Sequence, residues 1–396
     1  MTAGESHGPA LIATIEGFPS GVEITTDDLR AGLARRRLGY GRGARQKFEA
    51  DEATILAGVR HGVTTGAPIA IRIGNSEWPK WETVMSADPV DPRDLLIDAG
   101  TGDEREIARN RPLTRPRPGH ADLPGMLSYD LAEARPVLER ASARETAARV
   151  ALGVLAQALL TQVGAIRLVS HVVAVGSRRA TSRVLPTPLD EQVLCEASMR
   201  TLDAADNERF EAAVDEAKRA GDTIGGVVEV IAYDVPVGLG SHVTARERLD
   251  ARIAGALMSI QSVKGVEIGD GFAGAGRRGS VAHDEIVREG ALRRLTNRAG
   301  GIEGGMSNGE AIRIRLAFKP ISTVPRALRT IDTAEPATAL HQRSDVTAVV
   351  PGAVVAEAMA SLVVAEALIE KTGGDSADQM RESLAAYLAS IPEARA

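Results

Sequence analysis

The spacing of apolar and polar residues along the chain predicts six helices. Four of their starts carry, or nearly carry, a capping box, in which the first and fourth side chains satisfy free backbone N–H groups. These starts predict helices at 27–37, 143–160, 245–260 and 377–390. Two more are predicted at 203–220 and 352–371, because each is a long helical run that ends at glycine.

Runs rich in β-branched and alternating residues lie between these helices. They predict strands at 53–59, 69–73, 226–237 and 311–318. Segments 98–107 and 177–190 lose periodicity and gain Gly, Pro, Ser and charge, so we expect surface loops there. Neither is long enough to be a convincing domain linker. The sequence therefore indicates a mixed α and β class.

Composition limits the kind of protein and its compartment. The 396 residues are 44% hydrophobic and 25% charged, which excludes a mainly disordered or fibrous chain. The formal net charge is −6, so nucleic acid or an anionic membrane is not favoured as a partner. One cysteine, Cys195, excludes an intrachain disulfide framework and a thiolate metal cluster. The N-terminus lacks a signal-peptide pattern, and charges and a proline interrupt the apolar stretch 346–370, so we expect a cytoplasmic protein.

Arginine dominates the basic residues, since 41 of the 47 are arginine and six are lysine. The guanidinium fork suits phosphate and carboxylate ligands, although genomic base composition would produce the same excess. Gly, Arg, Ser and His are concentrated in segments that are spread over the whole chain. These segments are 4–8, 35–45, 114–122, 139–146, 261–271, 297–305, 319–323 and 341–345.

Among these segments, the most specific prediction concerns Ser142. As the N-cap of a predicted helix, it would leave free N–H groups and the positive end of the helix dipole facing outward. Arg140 and Arg144 add positive charge beside it, so the arrangement predicts an anion site. An ordinary capped surface helix with salt bridges is the alternative explanation of the same residues.

Segment 35–45 contains five arginines and three glycines, which predicts a loop that closes over a polyanionic ligand. A solvated basic stretch or an RNA-contacting arm would have the same composition. Against RNA, Tyr40 is the only ring in the segment that could stack on a base. The chain has no GxxxxGK[ST], HExxH or CxxC motif, and no GxGxxG motif that opens a βαβ unit.

These segments, in the order in which they occur, resemble those of the chorismate synthase family, in particular its bacterial, actinobacterial-like members. The resemblance extends from residue 2 to about residue 390 of this chain. The most specific blocks are Gly-Glu-Ser-His-Gly at 4–8, Arg-Ala-Ser-Ala-Arg-Glu-Thr at 140–146, and Gly-Val-Glu-Ile-Gly-Asp-Gly at 265–271 with His-Gln-Arg-Ser-Asp at 341–345. The resemblance implies a lyase of the shikimate pathway, which leads to the aromatic amino acids. Its reaction converts 5-enolpyruvylshikimate 3-phosphate to chorismate by a 1,4-anti-elimination of phosphate that needs reduced FMN, with no net redox change.

The resemblance also implies roles for individual residues. His7 matches the proton donor to the leaving phosphate, His120 the histidine that keeps reduced flavin correctly protonated, and Asp345 the carboxylate that acts with flavin N5 on the C6 proton. Positions matching substrate-contacting arginines are Arg36, Arg42, Arg45, Arg117, Arg144 and Arg343. Positions matching FMN contacts are Arg140, Ala141, Ser142, Gln261, Ser262, Gly304, Lys319, Pro320, Ile321, Ser322, Thr323 and Arg343. Arg36 and Arg42 also match NADP positions, which makes NADPH a candidate reductant for the flavin.

For the fold, the resemblance implies an α+β protein: a compact β-α-β sandwich, one domain over 1–396 and a homotetramer. It implies a small-molecule substrate and neither a metal nor a nucleic-acid partner. Two other functions remain as alternatives. One is an NADPH-dependent flavin reductase, and the other is an RNA-binding protein that uses 35–45 as an arm.

Overall fold

The computed structural model describes residues 1–43, 51–97, 104–289, 291–333, 335–339 and 345–391. The helices are α1 (Thr26–Arg37), α2 (Glu104–Asn110), α3 (Asp122–Tyr129), α4 (Arg135–Ala141), α5 (Thr146–Gly164), α6 (Glu191–Glu196), α7 (Ala204–Arg219), α8 (Leu249–Met258), α9 (Gly271–Ala275), α10 (Gly279–Ala282), α11 (Val349–Thr372) and α12 (Ala377–Ser390). Short 3₁₀ helices cover Trp78–Lys80, Pro92–Leu95, Ala143–Glu145 and Pro188–Asp190.

The strands in the same residues are β1 (Thr2–Gly4), β2 (Ala10–Ile15), β3 (Ala53–Ala57), β4 (Val59–Arg60), β5 (Val63–Thr64), β6 (Ile69–Gly74), β7 (Arg167–Val175), β8 (Arg178–Arg179), β9 (Gly226–Tyr233), β10 (Val263–Ile268), β11 (Ile286–Glu289), β12 (Ala291–Arg294), β13 (Ile302–Glu303), β14 (Met306–Ser307), β15 (Ile312–Phe318), β16 (Arg329–Asp332) and β17 (Glu335–Thr338). They form two larger sheets, with the orders β1-β2-β6-β3 and β10-β15-β9-β7-β8, and four two-stranded ribbons. Every ladder between these named strands is antiparallel.

A layer of helices lies between the two larger sheets. α5 packs on β2 and β6 of the first sheet, and α11 packs on β7 and β9 of the second. α5 and α11 also pack on each other, and α1 contacts both of them. This order of sheet, helices and sheet is the predicted β-α-β sandwich, so the predicted α+β class is confirmed.

The central helices α5 and α11 are apolar on nearly every side because other elements cover them. They approach closely where Gly153 meets Ala358, since a Cβ built on Gly153 would lie 2.3 Å from the Ala358 Cβ. Two helical stretches, Arg135–Gly164 and Val349–Thr372, are long and apolar enough to cross a membrane. Burial of 61% and 78% of their apolar windows inside the protein identifies them as core helices.

One continuous hydrophobic core includes residues of both larger sheets. It extends along the chain from Leu11 to Leu384 and includes Ile71 of the first sheet and Val230 of the second. The single domain over 1–396 stays a prediction, which this shared core supports for the described residues.

Most predicted helices lie close to their expected bounds, namely α1, α5, α7, α11 and α12. At α1 the capping box forms: Thr25 Oγ1 accepts the Asp28 N–H, and the Asp28 carboxylate accepts the Thr25 N–H. The predicted start at 245 is wrong. Residues 244–247 instead close a turn, in which the Glu247 N–H donates to the Thr244 carbonyl, so α8 begins at Leu249.

The irregular segments and one strand also differ from expectation. Residues 104–107, predicted as loop, form the start of α2, whose acidic first turn and basic last turn suit the helix dipole. Residues 98–103 lie outside the described part. Segment 177–190 is a loop apart from β8 and the 3₁₀ turn at its end. The strand predicted over 226–237 ends at Tyr233, because Asp234 adopts a positive φ of 60°.

Candidate active site

His7 lies between β1 and β2 and is held by a carboxylate from α4. Glu139 Oε2 accepts the His7 backbone N–H at 2.8 Å, and His7 Nδ1 lies 2.9 Å from Glu139 Oε1. Both residues are buried. An ionised carboxylate only accepts hydrogen bonds, so Nδ1 carries the hydrogen and Nε2 is the ring nitrogen left for a ligand.

The end of α4 lies beside the His7 segment. Ser142 Oγ donates to Ser6 Oγ at 3.1 Å. The Arg140 guanidinium donates to the Thr2 carbonyl at 2.9 Å and so fastens β1 to the end of α4, where Ala141 is the last helical residue. Two segments that are more than a hundred residues apart in the sequence therefore meet here, as the predicted site requires.

The capping box predicted at Ser142 does not form. Ser142 Oγ accepts the Arg144 N–H at 3.4 Å and begins a 3₁₀ turn, and α5 starts only after that turn. The Glu145 carboxylate, which would complete the box, instead accepts from Thr2 Oγ1 at 2.6 Å and from Arg149 Nε at 2.8 Å. Burial raises the pKa of Glu145, but these partners bring it below its ordinary value. Ser142 is thus the N-cap of the 3₁₀ turn that leads into α5, without the predicted capping box, and the anion site at this helix end stays a prediction.

His120, Arg117 and Asp122 form a compact cluster. Asp122 Oδ1 lies 2.5 Å from His120 Nδ1, and Asp122 Oδ2 accepts from Arg117 Nε at 2.8 Å. Burial alone would raise the pKa of Asp122, but the hydrogen bonds from His120 and Arg117 and the Arg117 charge hold it well below its usual range. Asp122 is thus an ionised anchor that orients both predicted residues.

The chain after β15 connects this cluster to the end of α8. The Lys319 N–H donates to the Ser262 carbonyl at 2.9 Å, and Lys319 Nζ donates to the Gly119 carbonyl. Gln261 Nε2 donates to Glu145 Oε2 at 3.1 Å. The predicted cofactor segments 140–142, 261–262 and 319–323 are therefore linked in one region of the protein.

Two buried oxygens in this region have no hydrogen-bond partner among the described residues, namely Gln261 Oε1 and Thr323 Oγ1. An unpaired buried polar atom costs about 1–3 kcal/mol, so a ligand that completes its bonding would be stabilised there. Burial, and then the nearby Lys264 charge, lower the pKa of Lys319. An anionic group beside Lys319 would offset both effects.

Arg36 and Arg144, two predicted substrate arginines, share one buried carboxylate. Arg36 Nη2 donates to Asp51 Oδ2 at 2.8 Å, and Arg144 Nη1 donates to Asp51 Oδ1 at 3.3 Å. Arg144 Nη2 also donates to the Gly74 carbonyl at 3.0 Å. Asp51 therefore fixes the orientation of both guanidinium groups and neutralises one of their two charges.

Asp345 holds part of the Arg-Gly segment in place. Its Oδ1 accepts the Gly43 N–H at 2.6 Å, and the Val346 N–H donates to the Gly41 carbonyl at 2.9 Å. Gly41 has φ +76°, and a Cβ there would lie 2.6 Å from Val214 Cγ1. Gly41 therefore serves a packed turn, and closure of segment 35–45 over a ligand stays a prediction.

Four further predicted site residues are Arg42, Arg45, Arg343 and Gly304. Arg42 lies between two anchored glycines, whereas Arg45 and Arg343 lie outside the described residues. Gly304 is exposed in the turn between β13 and β14, at the N-terminal end of α8, and Gln261 follows the C-terminal end of that helix. The contacts of the described residues therefore do not join Gly304 to the other cofactor positions.

Sequence reasoning missed the residues that orient the predicted ones. Glu139 and Asp122 lie inside segments that the composition singled out, within two residues of a predicted site residue. Asp51 lies outside all those segments, and so does Trp81, whose indole ring stacks on the His7 imidazole. Nothing in their spacing marks them. Within the described parts of the chain, no group of three or more His, Cys, Asp or Glu side chains is placed to hold a metal ion.

The chain matches known proteins over almost its whole length. The family model for chorismate synthase covers residues 1–369. The chorismate synthase of Beutenbergia cavernae is 63% identical, over 99% of this chain and 98% of its own length, and that of Streptomyces avermitilis is 60% identical, over 98% and 97%. The chain belongs to the chorismate synthase family. The predicted resemblance, including its actinobacterial character, is confirmed.

A solved crystal structure of chorismate synthase has the same fold, with a TM-score of 0.75 at 35% identity. The match covers 98% of this chain and 96% of that chain. As a member of the chorismate synthase family, the protein is an enzyme, a lyase of aromatic amino acid biosynthesis that acts on a small-molecule substrate. The antiparallel sheets described above contain no parallel strand pair of the kind on which a βαβ dinucleotide site is built.

Proposed function

We propose that the protein converts 5-enolpyruvylshikimate 3-phosphate to chorismate and phosphate by a 1,4-anti-elimination that requires reduced FMN, with no net redox change. The observation that carries this proposal is the buried His7–Glu139 pair where segments 4–8 and 140–146 meet. The pair presents one ring nitrogen to a ligand. Segment 140–146 also contains Arg144 and contacts Arg36, because Arg36 Nη1 donates to Thr146 Oγ1.

The substrate carries a phosphate and two carboxylates, which arginine binds through paired N–H groups. Arg36 Nε is buried and has no partner among the described residues, so a substrate oxyanion would supply the missing acceptor. Asp51 holds the Arg36 and Arg144 guanidinium groups beside each other, so an anion that reaches Arg36 Nε would lie near both of them. Arg42, Arg45, Arg117 and Arg343 are the other proposed substrate contacts.

His7 is proposed as the proton donor to the leaving phosphate. Glu139 accepts from Nδ1 and so occupies that side of the ring, which leaves Nε2 to deliver the proton. Histidine suits this step because imidazole side chains in general change charge near neutral pH. Asp345 is proposed to assist removal of the C6 proton, with its carboxylate oriented by the Gly43 N–H.

When bound, reduced FMN supplies an electron-rich ring with a basic nitrogen to the elimination. Residues proposed to hold it are Arg140, Ala141, Ser142, Gln261, Ser262, Gly304, Lys319, Pro320, Ile321, Ser322, Thr323 and Arg343. The unpaired buried oxygens of Gln261 and Thr323 and the closely spaced Lys264 and Lys319 ammonium groups fit a polar ligand with a phosphate. His120 is proposed to keep this ligand in its reactive protonation state, with Asp122 orienting its ring.

An anaerobic assay with 5-enolpyruvylshikimate 3-phosphate and chemically reduced FMN tests the proposal directly. We expect chorismate to form over many turnovers while the flavin stays reduced. Oxidation of one NADPH or one reduced flavin for each chorismate would overturn the claim of no net redox change. Absence of chorismate under these conditions would overturn the activity itself.

Several finer properties stay predictions. They are the homotetramer, the single domain over 1–396, the cytoplasmic location and the use of NADPH through Arg36 and Arg42. The described contacts of Arg36 suit an anionic ligand in general, so a 2′-phosphate and a substrate phosphate would both find the same donor.

A further inference from the structure

Trp81 makes a contact with His7 that has no part in the reaction as proposed. The indole and imidazole rings stack with centroids 3.8 Å apart and planes 23° apart. Trp81 therefore covers a face of the imidazole, while Glu139 occupies its Nδ1 edge. Of the two ring nitrogens, Nε2 makes no hydrogen bond with a described residue, so it is the atom left for a ligand.

Trp81 is itself held by a charged side chain. The guanidinium carbon of Arg109 lies 5.5 Å from the centroid of the Trp81 ring, within the range of a cation–π contact. Arg109 Nη1 also donates to the Lys80 carbonyl at 2.5 Å. One arginine therefore restrains both the indole ring and the backbone beside it.

These contacts form a continuous chain of residues whose first and last members both lie on α4. Arg135, in the first turn of α4, donates to the Arg109 carbonyl at 2.7 Å. Arg109 restrains Trp81, and Trp81 stacks on His7. His7 in turn contacts Glu139, which lies on α4 one helical turn after Arg135. The orientation of His7 thus depends on one helix through two separate routes.

We propose that Trp81, supported by Arg109, is a positioning residue that fixes the plane of the His7 imidazole so that Nε2 faces the leaving phosphate. The Nδ1 bond alone leaves the ring free to tilt about that bond, and the stacked indole removes this freedom. Proton transfer needs a short and well-aligned approach, so a tilted ring would slow the chemical step more than it would weaken substrate binding. The inference rests on the proposed role of His7.

The kinetic test compares Trp81→Ala, Trp81→Phe and Trp78→Ala in the full chain with reduced FMN. Trp78 is a matched control because it lies in the same 3₁₀ turn and has no described contact with His7. We expect Trp81→Ala to lower kcat about tenfold with KM within about twofold, as loss of alignment predicts. Trp81→Phe keeps a ring for stacking and should recover most of the rate, and Trp78→Ala should leave kcat unchanged.

A second readout does not depend on turnover. In protein labelled with ¹⁵N at histidine, the His7 Nδ1–H resonance, assigned by its absence in His7→Ala, should be sharp in the wild type and in Trp81→Phe. In Trp81→Ala it should broaden or disappear through exchange with solvent. If Trp81→Ala does not fold, Arg109→Gln provides the test, and we expect the same direction of change in kcat and in the resonance.

The outcomes separate the two proposals. An unchanged kcat and an unchanged His7 resonance in folded Trp81→Ala or Arg109→Gln would overturn the positioning role. Equal losses of kcat in Trp81→Ala and Trp78→Ala would also overturn it, because a general effect on the turn would then be sufficient. A wild-type chain that makes no chorismate, but whose His7 resonance responds to Trp81→Ala, would refute the proposed function and leave the positioning of His7 standing.

Discussion

Arg36 donates from Nη2 to Asp51 Oδ2 at 2.8 Å, and both side chains are buried. Arg144 reaches the other oxygen of the same carboxylate at 3.3 Å. Because one buried carboxylate accepts from two guanidinium groups, removing its charge takes an anionic partner away from both of them in the protein interior.

Asp51→Asn should therefore destabilise the protein strongly. The amide keeps the shape of the side chain but loses the charge, so we expect the free energy of unfolding in urea to fall by about 3 kcal/mol or more. The control is Asp27→Asn, whose ion pair with Arg30 is exposed and should contribute little. Equal changes in the two variants would contradict the claim that Asp51 anchors the arginines.

His7→Ala and His120→Ala should each lower kcat by roughly 10²–10⁴-fold, the usual contribution of a general acid or base. We expect both variants to stay folded by circular dichroism. His242→Ala is the control, because His242 is exposed and lies outside the site. Melting temperatures and kcat equal to those of the wild type would remove both histidines from the mechanism.

Gly41→Ala should destabilise the turn that carries Arg42. The backbone at Gly41 has φ +76°, and a Cβ would lie 2.6 Å from Val214 Cγ1, so we expect a loss of about 2 kcal/mol in the free energy of unfolding. Gly255→Ala provides a control of opposite sign. Gly255 is exposed within α8 with open space around its Cα, so alanine there should stabilise the protein by about 0.5–1 kcal/mol. A stabilising Gly41→Ala would show that the turn is not packed as described.

Asp122 should make the free energy of unfolding depend on pH in the acid range. The pKa of Asp122 is lower in the folded protein than in the unfolded chain. Its charge therefore contributes to stability above the unfolded pKa of about 4, and this contribution is lost as the pH falls toward the folded pKa. We expect Asp122→Asn to reduce the free energy of unfolding at pH 7. The difference from the wild type should shrink as the pH is lowered from 5 toward 2 in urea titrations. A difference that stays constant across this range would assign the effect to packing instead of charge.

The pattern of residues was sufficient for the main helices and for the class of the fold. At α1, Thr25 and Asp28 form the capping box that their spacing predicts, because both bonds lie within four consecutive residues. The same pattern failed at Thr244, where a local turn and the contact of Leu249 with the carbonyl of Gly305 set the start of α8. At α1 no distant contact competed with the local chemistry, and the prediction was correct there.

The sequence by itself determined the family, since the ordered blocks around His7, Ser142 and His120 resemble those of the family that the comparisons confirm. Only the tertiary structure decided what holds those residues in place. Glu139, Asp51 and Trp81 act across 132, 15 and 74 positions of the chain, because the folding of α4, the first sheet and the 3₁₀ turn brings them to their partners. A hydrogen bond or ring contact depends on the distance between two groups in space. Separation along the sequence predicts that distance only within a single helix or strand.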